Sequence, residues 1–138
     1  MKSFLAILAM LLVLNSCQNK TLQLLNKKWD CVKIDNLDLI DKKAITSAAD
    51  SIAANKIATA LAGLNWTFNK DHSYYCGVSD KITSRGNYEV NEDEKTLVCT
   101  TQSQNTVNRY TITTLTDDEL VLTSQGGNVN LVLHFKPN

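Results

Sequence analysis

The sequence predicts a mainly β domain in which eight antiparallel strands close into an up-and-down barrel, with one α-helix inserted between the first and second strands. Three observations lead there. From Leu64 onward apolar and polar residues alternate with period two, in short segments of strand length. Clusters with turn chemistry, KDHS, NEDEK, TDD and QGGN, separate those segments. A single alanine-rich stretch, KKAITSAADSIAANKIATALAG, interrupts the pattern before it begins.

The chain opens on an apolar run, Phe4 to Leu14. As a helix it would rise roughly 16 Å, about half of the ~30 Å hydrocarbon core of a bilayer, so it is too short for an ordinary membrane span. Lys2 and the amino terminus supply a positive flank and Ser16 a narrow side chain for a peptidase, which makes residues 1–16 a signal peptide. Leu14, Asn15, Ser16 and Cys17 resemble the lipobox of bacterial lipoproteins, with leucine three residues before the cysteine and a small residue directly before it. That resemblance implies cleavage before Cys17, a diacylglycerol on its thiol and a membrane anchor. Several acyl chains at ~0.8 kcal/mol per buried methylene hold a protein stably where one chain is marginal. Gln18 stands where lipoproteins kept at the inner membrane often carry aspartate, so the resemblance implies a cell-envelope protein at the outer membrane.

Of the 138 residues, removal of the first 16 leaves 122, enough for one domain with a single core. The mature chain carries 13 basic and 14 acidic side chains, with no basic patch, which excludes nucleic acid as a partner. Three cysteines follow Cys17, namely Cys31, Cys76 and Cys99. Export would place them where disulfides are permitted, but an odd count leaves one unpaired within the chain. Their wide spacing, with no neighbouring histidine, matches no zinc pattern, and no cofactor is expected.

Residues 17–27 read as a lipidated tether and 28–138 as the barrel domain. The first strand is WDCVKI at 29–34. Asp41 is positioned to cap the helix of residues 42–62, whose Ile45, Ala49, Ile52, Ile57 and Leu61 follow one face until Gly63 ends it. Seven strands then follow: LNWTFN (64–69), YYCGV (74–78), GNYEV (86–90), TLVCTT (96–101), NRYTITTL (108–115), ELVLTS (119–124) and VNLVLHFK (129–136). Parity puts Trp66, Phe68, Tyr88, Val90, Tyr110, Ile112, Leu120, Leu122, Leu133 and Phe135 on one face, and Thr67, Asn87, Glu89, Thr111 and His134 on the other. A sheet greasy on one side must cover that side, and eight strands do so by closing. The interior of such a barrel is filled by side chains or holds one small ligand.

Cys76 and Cys99 lie on strands with one strand between them, roughly 9.6 Å apart, whereas bridged α-carbons come within ~7 Å. Two states stay open. Either Cys76 leaves its strand beside GVSDKITSR to form a Cys76–Cys99 disulfide, or the thiols remain unpaired as small buried hydrophobes.

The cadence WTFNKDHSYY, then GNYEV, then an acidic turn before TLV, then YTITTLTDDELVLTS and a final LVLHF resembles the lipocalin-like domains of small bacterial lipoproteins of the Bacteroidetes type. It spans most of residues 28–136, although KKWDC replaces the Gly-x-Trp of true lipocalins. The resemblance implies a non-catalytic binding module whose barrel takes a small apolar ligand among Trp66, Phe68, Tyr88, Tyr110 and Leu122. The alternative is a structural or protein-interaction module, an accessory subunit or hydrolase inhibitor, acting on an envelope protein through the helix and loops.

No enzyme is expected. Asp71, His72 and Ser73 are consecutive, and consecutive residues rarely converge on one reacting atom. The acidic groups at 35–41, 92–94 and 117–119 lack the alternating ligands and central glycine of a calcium loop. Gly126 and Gly127 sit in a hairpin turn, not in a phosphate cradle between strand and helix.

Overall fold

Each strand pairs with its neighbours in chain order, and the last pairs with the first. The computed structural model describes residues 20–36, 63–127 and 129–138. Its strands are β1 (Lys28–Asp35), β2 (Leu64–Phe68), β3 (Ser73–Val78), β4 (Lys81–Asn91), β5 (Thr96–Thr101), β6 (Val107–Leu115), β7 (Leu120–Ser124) and β8 (Val132–Pro137). They form one closed antiparallel barrel in the order β1 to β8. The seam is the β1–β8 pair, where Cys31 lies opposite Phe135 and Ile34 opposite Leu133. Closure pairs every strand on both sides and leaves no free edge.

The expected parity holds because register carries it across every pair. Trp66 faces Cys76, Phe68 faces Tyr74, Tyr88 faces Cys99, and Leu97 faces both Val90 and Tyr110. Bulges at Val32, Thr83 and Thr113 bend β1, β4 and β6 around the barrel. Trp29, Phe68, Tyr88, Leu97, Leu120, Leu122 and Phe135 form the deeply buried core.

The two ends differ. The turns β2–β3, β4–β5 and β6–β7 lie at one end, together with the start of β1 and the finish of β8. This end is closed by helix α1 (residues 20–25), whose Leu22 and Leu25 share a face toward the core. Leu25 is wholly buried and its carbonyl accepts the indole N–H of Trp29 at 2.9 Å. Lys27 adds a backbone bond to Phe68 at 3.2 Å, and its ammonium donates to the Asp117 carbonyl at 3.2 Å. At the other end, the mouth, lie the turns β3–β4, β5–β6 and β7–β8, and there β1 ends and β2 begins.

Several boundaries differ from those the sequence suggests. Residues 20–25, placed in the tether, are helical and belong to the domain. The stretch after Cys76 is no flexible loop: Ser79 takes φ 55° in a tight turn and β4 starts at Lys81 rather than Gly86. Strand β8 begins at Val132, three residues later than expected. The signal peptide, Cys17 and the helix expected over 42–62 lie outside the described residues.

Candidate functional site

The barrel interior is a continuous chain of aromatic rings running from the closed end toward the mouth. His72 stacks on Tyr88 at 5.4 Å, Tyr88 meets Phe68 edge-on at 5.1 Å, and Phe68 meets Trp66 at 6.0 Å. Trp66 in turn contacts Phe135 at 5.5 Å and Tyr110 at 5.2 Å. Such edge and tilted geometries place positive ring edges on negative faces, which favours each pair beyond its burial.

The residues expected to line the interior all turn inward. Phe68, Tyr88, Trp66 and Leu122 pack against one another and against Leu25, Leu97 and Leu120. They fill the half of the barrel next to the closed end. Partly buried apolar side chains lie at both ends, Leu22, Val90 and Leu115 at the closed one and Ile34, Leu64, Cys76 and Tyr110 toward the mouth. A concavity of about 420 Å³ opens there beside Tyr110, lined also by Asn108, Arg109, Ser124 and Gln125.

Two strands approach closely below the mouth. A Cβ on Gly86 would collide with the Thr100 carbonyl oxygen and come within 3.0 Å of the Tyr74 ring. Tyr74 lies opposite Gly86 and covers it, with its hydroxyl 3.1 Å from Thr101 Oγ1.

Burial sets the titration of this interior. It pushes the Cys76 thiol and the Tyr88 phenol each up to about 12. It also raises Cys99, Tyr110 and Tyr74, and Cys31, where a backbone hydrogen bond with Lys33 partly offsets it. Thiols held protonated are poor nucleophiles at neutral pH.

The Cys76–Cys99 disulfide left open by the sequence is not formed, and all three described cysteines are free. Register explains why. On the intervening β4, Cys76 pairs with Ser84 whereas Cys99 pairs with Tyr88. A four-residue stagger adds ~13 Å along the strands to the ~9.6 Å across them, well beyond bridging range.

Asp71, His72 and Ser73 do not form a relay. Asp71 Oδ1 accepts the Ser73 N–H at 3.0 Å and its hydroxyl at 2.6 Å, which builds the turn. His72 instead sits at φ 65° against Tyr88, with Nδ1 3.3 Å from the Tyr88 carbonyl oxygen. A cluster that sequence reasoning did not assemble lies on the outer face of the seam. Asp35 sits 2.8 Å from both His134 Nε2 and Lys33 Nζ. The hydrogen bond from Lys33, then that from His134, holds the Asp35 carboxyl below its ordinary range. Both Asp35 and His134 have outward parity, but only the β1–β8 register brings them together. Among the described residues no three His, Cys, Asp or Glu converge as a metal site.

An up-and-down barrel of eight antiparallel strands, plugged at one end and apolar within, defines the lipocalin-like class of binding domain. The chain belongs to the lipocalin-like domain family, whose model matches residues 25–122. A DUF4847 family protein from Bacteroides vulgatus ATCC 8482 has a similar structure, with a TM-score of 0.53 and 11% sequence identity, over 83% of this chain and 94% of that one. At that identity the likeness speaks to the fold alone. No curated protein matches the chain in sequence.

Proposed function

We propose that this protein is a lipid-anchored, non-catalytic binding module of the cell envelope, held at the outer membrane through Cys17 and taking a small apolar ligand at the mouth of its barrel. The concavity beside Tyr110 at the mouth carries this reading. Leu25, Phe68 and Tyr88 fill the interior behind it, and Leu64, Cys76 and Tyr110 leave apolar surface partly exposed toward the mouth. Trp66 lies between the two regions and touches Tyr110, so it would sense an occupant. Raised thiol and phenol pKa values favour binding over chemistry in this interior.

The test uses the mature chain with Cys17→Ser and Trp29→Phe, which leaves Trp66 as the one tryptophan. Titration with N-phenyl-1-naphthylamine should quench Trp66 saturably, and Tyr110→Ala should weaken the effect. Absence of saturable quenching, together with no co-purifying small molecule in native mass spectra, would overturn the ligand reading. A second reading draws on Val32, Ile82 and Val107, the exposed large apolar side chains among the described residues, all toward the mouth. They favour contact with an envelope protein, and a protein adduct in the same spectra would support it.

A further inference from the structure

We infer that the closed end of the barrel faces the membrane that anchors the protein, and that the mouth points away from it into the aqueous compartment. The inference rests on the reading of Cys17 as the lipidated residue. It follows from how near to Cys17 the chain is already packed into the closed end.

The described part of helix α1 starts at residue 20, three residues after Cys17. Three peptide steps span at most ~11 Å. The helix is not a free leader that could swing. Leu22 and Leu25 are packed into the closed end, Thr21 and Leu24 lie beside Glu92, Lys95 and Leu115, and Asn26 accepts a hydrogen bond from Tyr88. The anchor point is therefore fixed to the rim formed by the β4–β5 and β6–β7 turns.

The height of the barrel decides the orientation. Its longest strand, β4, has 11 residues, which at ~3.3 Å each and a tilt of about 40° gives roughly 28 Å from closed end to mouth. Inverting the barrel would require the tether to run that whole length, more than twice its reach. Tilting is allowed, but turning the mouth onto the headgroups is not. The surface nearest the headgroups therefore carries Glu92, Asp93 and Glu94 on one turn and Asp117, Asp118 and Glu119 on the next, with Lys27 paired to Asp117 at 3.8 Å. A ligand at the mouth would arrive from the aqueous side, not by lateral transfer from the anchoring leaflet.

The experiment places a bimane label on Asp93→Cys at the closed end or Gln104→Cys at the mouth of the full acylated protein, with the unsubstituted protein as labelling control. Each variant is reconstituted in phosphatidylcholine vesicles containing a headgroup-linked nitroxide quencher. Flotation with the vesicles and the mass of the N-terminal peptide report acylation separately. The label at 93 should be quenched severalfold more than that at 104, and a long Gly/Ser insertion after Gln18 should shrink the difference. An acylated, floating protein whose label at 104 is quenched equally or more overturns the orientation while leaving the anchor intact. A protein with no acyl mass on Cys17 overturns both.

Discussion

The phenol of Tyr88 shares its proton between Asn26 Oδ1 at 2.7 Å and the Asn69 carbonyl at 2.9 Å, and so ties helix α1 to the β2–β3 turn through the floor of the barrel. Tyr88 is almost wholly buried, so its hydroxyl must be satisfied from within. Tyr88→Phe keeps the ring on Phe68 but leaves both acceptors without this donor. Urea unfolding should show a loss of about 1–3 kcal/mol. An unchanged midpoint would mean that water replaces the phenol without cost.

Leu25→Ala tests whether helix α1 belongs to the core. Truncating a wholly buried leucine should cost about 2–5 kcal/mol, through lost transfer energy and the cavity left behind. Gln23→Ala, on the exposed side of the same turn, should change stability little. Equal effects from the two substitutions would return this segment to the status of a tether.

Gly86 and Gly126 separate two reasons for glycine. Gly86→Ala would drive a methyl into the Thr100 carbonyl, and backbone cannot step aside as a flexible side chain can. Overpacking of this kind typically costs about 1–3 kcal/mol and sometimes more. Around Gly126 there is open space, but its φ of 85° suits only glycine well, so Gly126→Ala should cost about 1 kcal/mol through strain alone. Thermal unfolding of the two variants should rank them in that order.

Alkaline pH should unfold the barrel through its interior. Cys76 and Tyr88 keep their protons to about 12 when folded, against ordinary values of 9.0 and 10.0. Because the folded values are raised, the unfolded chain releases these protons first as pH climbs. Their contribution is complete below about pH 9 and is lost as pH rises toward 12. Urea midpoints should hold steady from pH 7 to 9 and then fall, and Cys76→Ala combined with Tyr88→Phe should flatten the decline. A midpoint already falling steeply below pH 8 would contradict this.

Strand identity and facing were legible because period-two alternation survives in single segments such as NRYTITTL and ELVLTS, and closing eight such segments is the simplest way to hide their apolar sides. Register was not legible, and everything that depends on it came only with the structure. The stagger that keeps Cys76 from Cys99, and the meeting of Asp35 with His134, both turn on which residue lies opposite which. Helix α1 escaped notice because its described residues, KTLQLL, make fewer than two turns, too few for a 3.6-residue period to repeat. The early start of β4 was hidden by the Gly, Ser and Asp of GVSDKITSR, which mark a turn at Ser79 and Asp80 but say nothing of where pairing resumes.

The seam between β1 and β8 also has a bearing on the order of events at the ribosome. Lys28 must wait for Asn138, whose amide reaches its carbonyl at 3.0 Å, before the two margins of the sheet can be joined. A nascent chain still lacking residues 132–138 has no partner for that side of β1, and contacts so remote in sequence form slowly. The shell therefore cannot lock until β8 has been made, and until then the chain stays pliable along that side of β1.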